Sequence, residues 1–278
     1  MEKRNSFSTI LLWTFMLALL LTASCTEKKP PAPAEQAAPQ TASPQVSSPD
    51  NLLRVGMSGN YPPMTFIQGE RYSGVEADFA RKLPAALGRS VQISLIPWDK
   101  LVDALLSDKI DVIMSGMTIT KPRQVRIDFT KPYLTTGLMA AFRLKDARKY
   151  SSTRKIMRSN ASVGVIRNTT GERFVRANLP FASRVVLLTM PSEAAWELKG
   201  RNIDLFIHDA PSIMWLVSEN EADITGLWEP LSKEELAWGV RKEDQALKHE
   251  LNAVIDRWTR DGTLDAVLDH WLPFRNHD

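Results

Sequence analysis

Twice along the chain the apolar residues switch from a period of two to a helical period and back in the same order, and this repetition restricts the fold more than any other feature. Leu53 to Met57 reads as a strand, and Asn60-Tyr61-Pro62-Pro63 after it is a loop, because consecutive prolines cannot donate to a ladder. Val75, Phe79, Leu83 and Leu87 then recur at four-residue steps, which predicts a helix stopped by Gly88 and kinked at Pro84. Val91 to Leu95 alternates as a strand does, Trp98, Leu101, Val102, Leu105 and Leu106 make the next helical stripe, and Ile110 to Met114 is a short apolar strand. The second occurrence runs through Ser162–Ile166, Val185–Leu188 and Ile203–Ile207 as strands, with Gly171–Ala177 and Ala194–Leu198 as the helices between them. A β-α-β-α-β order marks a largely parallel sheet covered by helices. The prediction is an α/β protein of two lobes, each a mostly parallel sheet flanked by helices. Lys109-Ile-Asp-Val-Ile-Met114 and Asn202-Ile-Asp-Leu-Phe-Ile207 hold the same rank in their lobes, a likeness short enough to be coincidence.

Leu138-Met-Ala-Ala-Phe142 leads out of the first lobe and Leu236-Ala-Trp-Gly-Val240 leads back, so two hinge strands are expected. Helices follow over Gln245–Arg260, with Leu247, Leu251, Val254, Ile255 and Trp258 on one face and Gly262 as the stop, and over Leu264–Trp271. The organisation this implies is lobe 1 over residues 51–140 and 236–278 and lobe 2 over residues 141–235.

The first 50 residues read differently. Lys3 and Arg4, an apolar run from Ile10 to Leu21 and then Thr22-Ala23-Ser24 have the order of an export signal over residues 1–24. A membrane-spanning helix needs about 18 apolar residues, more than this run supplies. Cys25 is the only cysteine, which excludes an internal disulfide. Residues 25–50 hold six prolines among Ala, Gln, Ser and Thr and no apolar periodicity, the composition of an extended tether. With 35 basic against 32 acidic residues there is no electrostatic case for nucleic acid. The four histidines show no metal-ligand spacing and no cysteine remains to help them, so neither metal nor cofactor is expected.

Ligands of open α/β sheets sit beyond the carboxyl ends of the strands, which directs attention to the residues after Met57, Met114, Ile166 and Ile207. After Met114, Thr120 is a plausible N-cap with Pro122 in the first turn, so Arg123 lies early in a helix where it and Thr118 can converge. A guanidinium offers a fork matched to a carboxylate; the plainer alternative is a solvated helix residue. In the second lobe Thr169 and Glu172 have the spacing of a capping box, and free amides at such a helix start attract an anion or are merely capped. Asp209 ends an apolar strand, where a carboxylate is costly unless a cation meets it; a ligand's ammonium can be that cation, or Asp209 caps the helix beginning at Ala210 and Pro211. His208 reads as structural or rim-exposed. An arginine and hydroxyl cradle facing a carboxylate describes a receptor for the head of an α-amino acid, with Tyr61 and Trp98 as walls for its side chain or as ordinary core.

These blocks resemble the type II periplasmic binding proteins of extracellular solute-binding family 3, over Leu53 to Trp271. The most specific block runs from Gly116 to Tyr133 through Thr118 and Arg123; Gly74–Phe79, Trp98–Leu105, Gly239–Asp244 and Asp261–Leu264 agree in order and spacing, and Ile203–Pro211 is most like the glutamine-binding members. The resemblance implies a two-lobed fold closing on an amino acid. Arg123 is then similar to the arginine that holds the ligand carboxylate, Thr118 and the Gly116 backbone to its neighbours, and Thr169 with Thr170 to the second lobe's contribution. Asp209 corresponds to the ammonium acceptor, Tyr61 and Trp98 to the walls, and Ile166 to a side-chain pocket position. Ser58 stands where binders of cationic amino acids often carry an acid, which favours a neutral or polar ligand, and Asn168 replaces a common glycine. Thr22 to Cys25 resembles a bacterial lipobox, apart from Thr22 in place of the usual Leu, and implies a lipid on Cys25 and a periplasmic, membrane-anchored monomer. The implied partner is an ABC importer or a sensor, and the implied role is binding rather than catalysis. The same fold family also contains cyclohexadienyl dehydratases, which makes an enzyme the alternative.

Overall fold

The computed structural model of the protein describes residues 51–273 and Arg275. The expected export signal, Cys25 and the tether lie outside the described residues.

The first lobe opens with β1 (Leu52–Met57), followed by a small antiparallel meander of β2 (Asn60–Tyr61), β3 (Thr65–Gln68) and β4 (Arg71–Ser73). The helix α1 (Val75–Leu87) contains Pro84 without ending there; Gly88 ends it in the left-handed conformation, its amide returning to the Pro84 carbonyl. Then come β5 (Ser90–Leu95), a 3₁₀ turn at Trp98–Lys100 that runs into α2 (Leu101–Leu106), β6 (Val112–Ile113), α3 (Lys121–Arg126) and β7 (Asp128–Phe129). The chain crosses through β8 (Leu134–Thr136) to the second lobe. There β9 (Leu138–Arg143), α4 (Thr153–Met157), β10 (Ser162–Ile166), α5 (Thr170–Asn178), β11 (Arg184–Leu188), α6 (Glu193–Lys199), β12 (Leu205–Asp209), α7 (Ala210–Ser218) and β13 (Ile224–Leu227) follow in turn. It returns through β14 (Glu234–Leu236) to β15 (Gly239–Val240), α8 (Gln245–Arg260) and α9 (Thr263–Trp271).

Each lobe holds a five-stranded sheet, ordered β5-β1-β6-β15-β7 in the first and β11-β10-β12-β9-β13 in the second. The repeated β-α-β-α-β segments form the parallel half of each sheet. The other half is antiparallel: β15 and β7 in the first lobe, β9 and β13 in the second. The sheets are mixed where the sequence order alone predicts mostly parallel ones, because the segments that leave and re-enter a lobe supply the additional strands.

The likeness between the two Ile-Asp segments has a structural counterpart. Asp111 accepts the Arg54 amide within β1 at 2.8 Å, and Asp204 accepts the Ser162 amide at the start of β10 at 3.0 Å, so each ties its segment to the neighbouring parallel strand. One residue earlier, Ile110 and Ile203 fill the space left by Gly56 and Gly164, where any β-carbon would collide with them.

The cores follow the strand periodicity. Along β9, Met139 and Ala141 pack on one face of the second sheet while Leu138, Ala140 and Phe142 pack on the other, as a strand covered on both faces requires. In the first lobe Phe79 stacks on Trp258 at 5.6 Å and meets Tyr133 and Trp238 edge-on. Burying a side chain of that size stabilises the fold by about 1.5–3 kcal/mol. The crossings pair as an antiparallel ribbon, Glu234 opposite Thr136 and Leu236 opposite Leu134. Leu138–Phe142, read from the sequence as the outgoing hinge, is instead a central strand of the second sheet, so the exchange occurs at residues 134–137. Its apolar run is long because both faces are covered, not because it bridges lobes.

Candidate functional site

The carboxyl ends of β1, β6, β10 and β12 converge on one cavity between the lobes, nearly closed, with water-accessible space of about 30 Å³. All nine residues proposed from the sequence as ligand contacts line it, and Ser58, Asn60, Thr189, Pro191 and His208 complete the wall.

From the first lobe, Gly116 follows β6 with φ of +61°, a left-handed conformation that favours glycine. Closeness also demands it: a β-carbon there would lie 2.7 Å from Cε1 of Tyr61. The Gly116 amide donates to Glu76 Oε1 at 2.7 Å, so it is committed to the protein rather than to the cavity. Thr118 sits on an isolated bridge to Leu236, and its carbonyl accepts from Arg123 Nη1 at 2.8 Å. As the sequence predicts, Thr120 caps α3 by accepting the Arg123 amide. The half-buried guanidinium lies over the Trp98 ring at 5.1 Å. It has no ion-pair partner among the described residues, and burial, then the charge of Arg173, lower it to about 10. It remains a cation at neutral pH with donors to spare.

From the second lobe, Ile166 ends β10 and its carbonyl accepts the Thr169 hydroxyl at 2.7 Å. Thr169 in turn accepts the Glu172 amide at 3.3 Å, so its side chain caps α5 as well as lining the cavity. Glu172 reaches back not to the Thr169 amide but to that of Asn168, at 2.8 Å. Asn168 has φ of +61°, a conformation asparagine tolerates, and its carbonyl accepts Trp98 Nε1 from the first lobe at 3.3 Å.

Asp209 ends β12 beside the first turn of α7, yet its carboxylate makes no capping bond to that helix. It is buried, and its Oδ2 accepts the hydroxyl of Tyr61 from the opposite lobe. Burial works to raise the Asp209 carboxyl, and His208, the Tyr61 hydroxyl and Arg123 outweigh it, holding the group below its ordinary range. Burial and then the charge of Asp209 push the Tyr61 phenol well above its own, which keeps it a donor. His208 is buried rather than rim-exposed, and its ring stacks on Tyr61 at 5.1 Å. Its Nδ1 lies 3.5 Å from Asp209 Oδ2. No group of side chains able to hold a metal ion occurs among the described residues.

Two further carboxyls escaped the sequence reading. Glu76, within the Gly74–Phe79 block, is fully buried beneath the cleft and accepts from the Gly116 amide, the Tyr133 hydroxyl and Trp238 Nε1. Glu234 on β14 accepts the hydroxyls of Thr118 at 2.8 Å and Thr170 at 3.0 Å, one from each lobe. Burial and then the charge of Asp209 raise it. A signal for Glu234 exists in the chain: it is two residues from buried Leu236 on a strand, hence on the same face, whereas Glu235 points outward.

The arrangement presents a fixed cation and a fixed anion to one cavity, which is the chemistry a zwitterion requires.

The sequence model of the bacterial extracellular solute-binding proteins, family 3, matches residues 53–274. The chain is 27% identical over 222 residues to the L-cystine-binding protein TcyJ of Escherichia coli K12, covering 79% of this chain and 82% of that one. It is 26% identical over 229 residues to the cyclohexadienyl dehydratase of Pseudomonas aeruginosa, covering 81% and 84%. Among solved structures, the ancestral amino acid-binding protein AncCDT-1, a precursor of cyclohexadienyl dehydratase, superposes with a TM-score of 0.74 at 29% identity, over 80% of this chain and 96% of that chain. The chain belongs to the family 3 bacterial extracellular solute-binding proteins.

Proposed function

Taking that membership as the premise, we propose that the protein binds an amino acid between its lobes, with the ligand carboxylate on Arg123 and its ammonium on Asp209. The observation that carries this is the pairing of an Arg123 guanidinium that lacks an ion-pair partner among the described residues with a buried Asp209 carboxylate on the same cavity. Tyr61, Trp98 and Ile166 form walls for the side chain, and Ser58, which shares a hydrogen bond with Ser115 at 2.9 Å, leaves the side-chain end of the pocket uncharged there. A neutral or polar amino acid follows. The closed lobes are the form an ABC importer, or a sensor, would read. Cys25 carries the lipid that holds the protein at the periplasmic membrane surface. Mass spectrometry of whatever ligand co-purifies, followed by its structure in the cleft, tests the ligand assignment: a carboxylate placed away from Arg123 contradicts it. Metabolic labelling with a fatty acid tests the anchor, with label expected on the wild type and none on Cys25→Ser.

The enzyme alternative would place its acid at Asp209, with Glu234, whose carboxyl is raised by burial and by the charge of Asp209, behind the cavity wall. Proton transfer at a cleft carboxyl is the step such an enzyme needs. Incubation with prephenate or arogenate distinguishes the readings, since the binding protein yields no aromatic product.

A further inference from the structure

Glu234 is an acidic group that the amino-acid reading leaves without a role. It stands on the strand by which the chain returns from the second lobe. Its Oε2 takes the hydroxyls of Thr118 and Thr170, and Oε1 takes that of Ser232 at 3.4 Å. Oε2 is the acceptor in both threonine bonds, and a threonine hydroxyl has one proton and two lone pairs. Once both hydroxyl protons point at Glu234, Thr118 and Thr170 can offer the cavity lone pairs and nothing else. A ligand carboxylate gains nothing from lone pairs, and a ligand ammonium gains two acceptors.

We propose that Glu234 is a specificity-determining residue that fixes the Thr118 and Thr170 hydroxyls as acceptors for a ligand ammonium, leaving the carboxylate to Arg123. The inference rests on the amino-acid reading and alters one part of it: Thr118 moves from the carboxylate cradle to the ammonium side. Its position explains how a residue outside the cavity wall acts on the ligand, through one hydroxyl from each lobe.

The test compares an amino acid that the wild-type protein binds with its des-amino analogue, which keeps the carboxylate and lacks the ammonium. In Glu234→Ala both threonine hydroxyls lose the acceptor that holds their protons, so either can turn its proton toward the cavity. The ratio of the two dissociation constants, analogue over amino acid, is expected to fall about tenfold or more, the scale of one hydrogen bond to a charged group. Thr170→Val, which removes one acceptor and leaves Glu234 in place, is expected to lower the same ratio. If Glu234 only latches the lobes together, both ligands weaken equally and the ratio stays put, which overturns the inference while the amino-acid reading survives. A folded wild-type protein that binds no amino acid overturns both.

Discussion

The hydroxyl of Tyr61 in the first lobe donates to the carboxylate of Asp209 in the second, so the lobes meet at the group proposed to hold the ligand's ammonium. Closure and recognition therefore share an atom. Tyr61→Phe removes this donor but leaves the ring stacked on His208, and calorimetry should show amino-acid affinity falling about tenfold. Asp209→Asn removes the charge itself and should cost about a hundredfold or more. Equal losses in the two variants would mean that Asp209 serves closure alone.

Arg123 is set by two contacts, the Thr118 carbonyl at 2.8 Å and the Trp98 ring at 5.1 Å. Lysine keeps the charge and loses the planar fork that both contacts orient. Arg123→Lys should weaken binding by about tenfold or more, and Arg123→Ala should abolish it. A lysine variant with wild-type affinity would show that charge suffices and that the fork is unused.

Glu76 gives stability a pH dependence of a definite sign. Burial raises its carboxyl to about 7, and the bonds from Tyr133, the Gly116 amide and Trp238 offset only part of that rise. Its folded value lies above its unfolded one, so the native state keeps the proton longer. This contribution is fully present below about pH 4.5, the ordinary value for glutamate, and is lost as pH rises through about 7. The full swing is about 3 kcal/mol. Urea unfolding at several values between pH 4.5 and 8 should show wild type losing stability relative to Glu76→Gln as pH rises, with most of the loss on passing through about pH 7. A pH-independent difference throughout would remove Glu76 as the cause.

Gly116 joins the floor of the site to its wall. A methyl group at this position meets both a left-handed backbone and the Tyr61 ring. Gly116→Ala should lower stability by about 1–3 kcal/mol and, by displacing Tyr61, weaken ligand binding as well. Thermal melts and calorimetry on the same preparation check the two effects, and a loss of stability with unchanged affinity would mean that Tyr61 does not respond.

Much of this was legible in the chain because periodicity reports burial directly. The two β-α-β-α-β segments, the α1 stop at Gly88 and the Thr120 cap before Arg123 all rest on local rules. Non-local strand pairing was harder to see. Whether Leu138–Phe142 bridges two lobes or lies in the middle of one depends on its partners β12 and β13, residues 60 or more positions away. The cap assigned to Thr169 and its place on the cavity wall were both readable as alternatives, and the structure contains both. Glu234 was missed because its acid side chain looked like surface; only the pairing of β14 with β8 turns it toward Thr118 and Thr170. Glu76 was missed for the same reason, since an acid in the first turn of a helix ordinarily serves the helix dipole.

The central claim is that this cavity holds an amino acid by both ends of its head group. Calorimetric titration of the ligand-stripped protein with each of the twenty amino acids, in parallel with Arg123→Ala, tests it most directly. The account predicts that at least one neutral or polar amino acid binds the wild type with a dissociation constant in the micromolar range or tighter, about −8 kcal/mol or below, and that the variant binds none. A folded wild-type protein that gives no heat with any of the twenty, or a variant that retains the affinity, contradicts it.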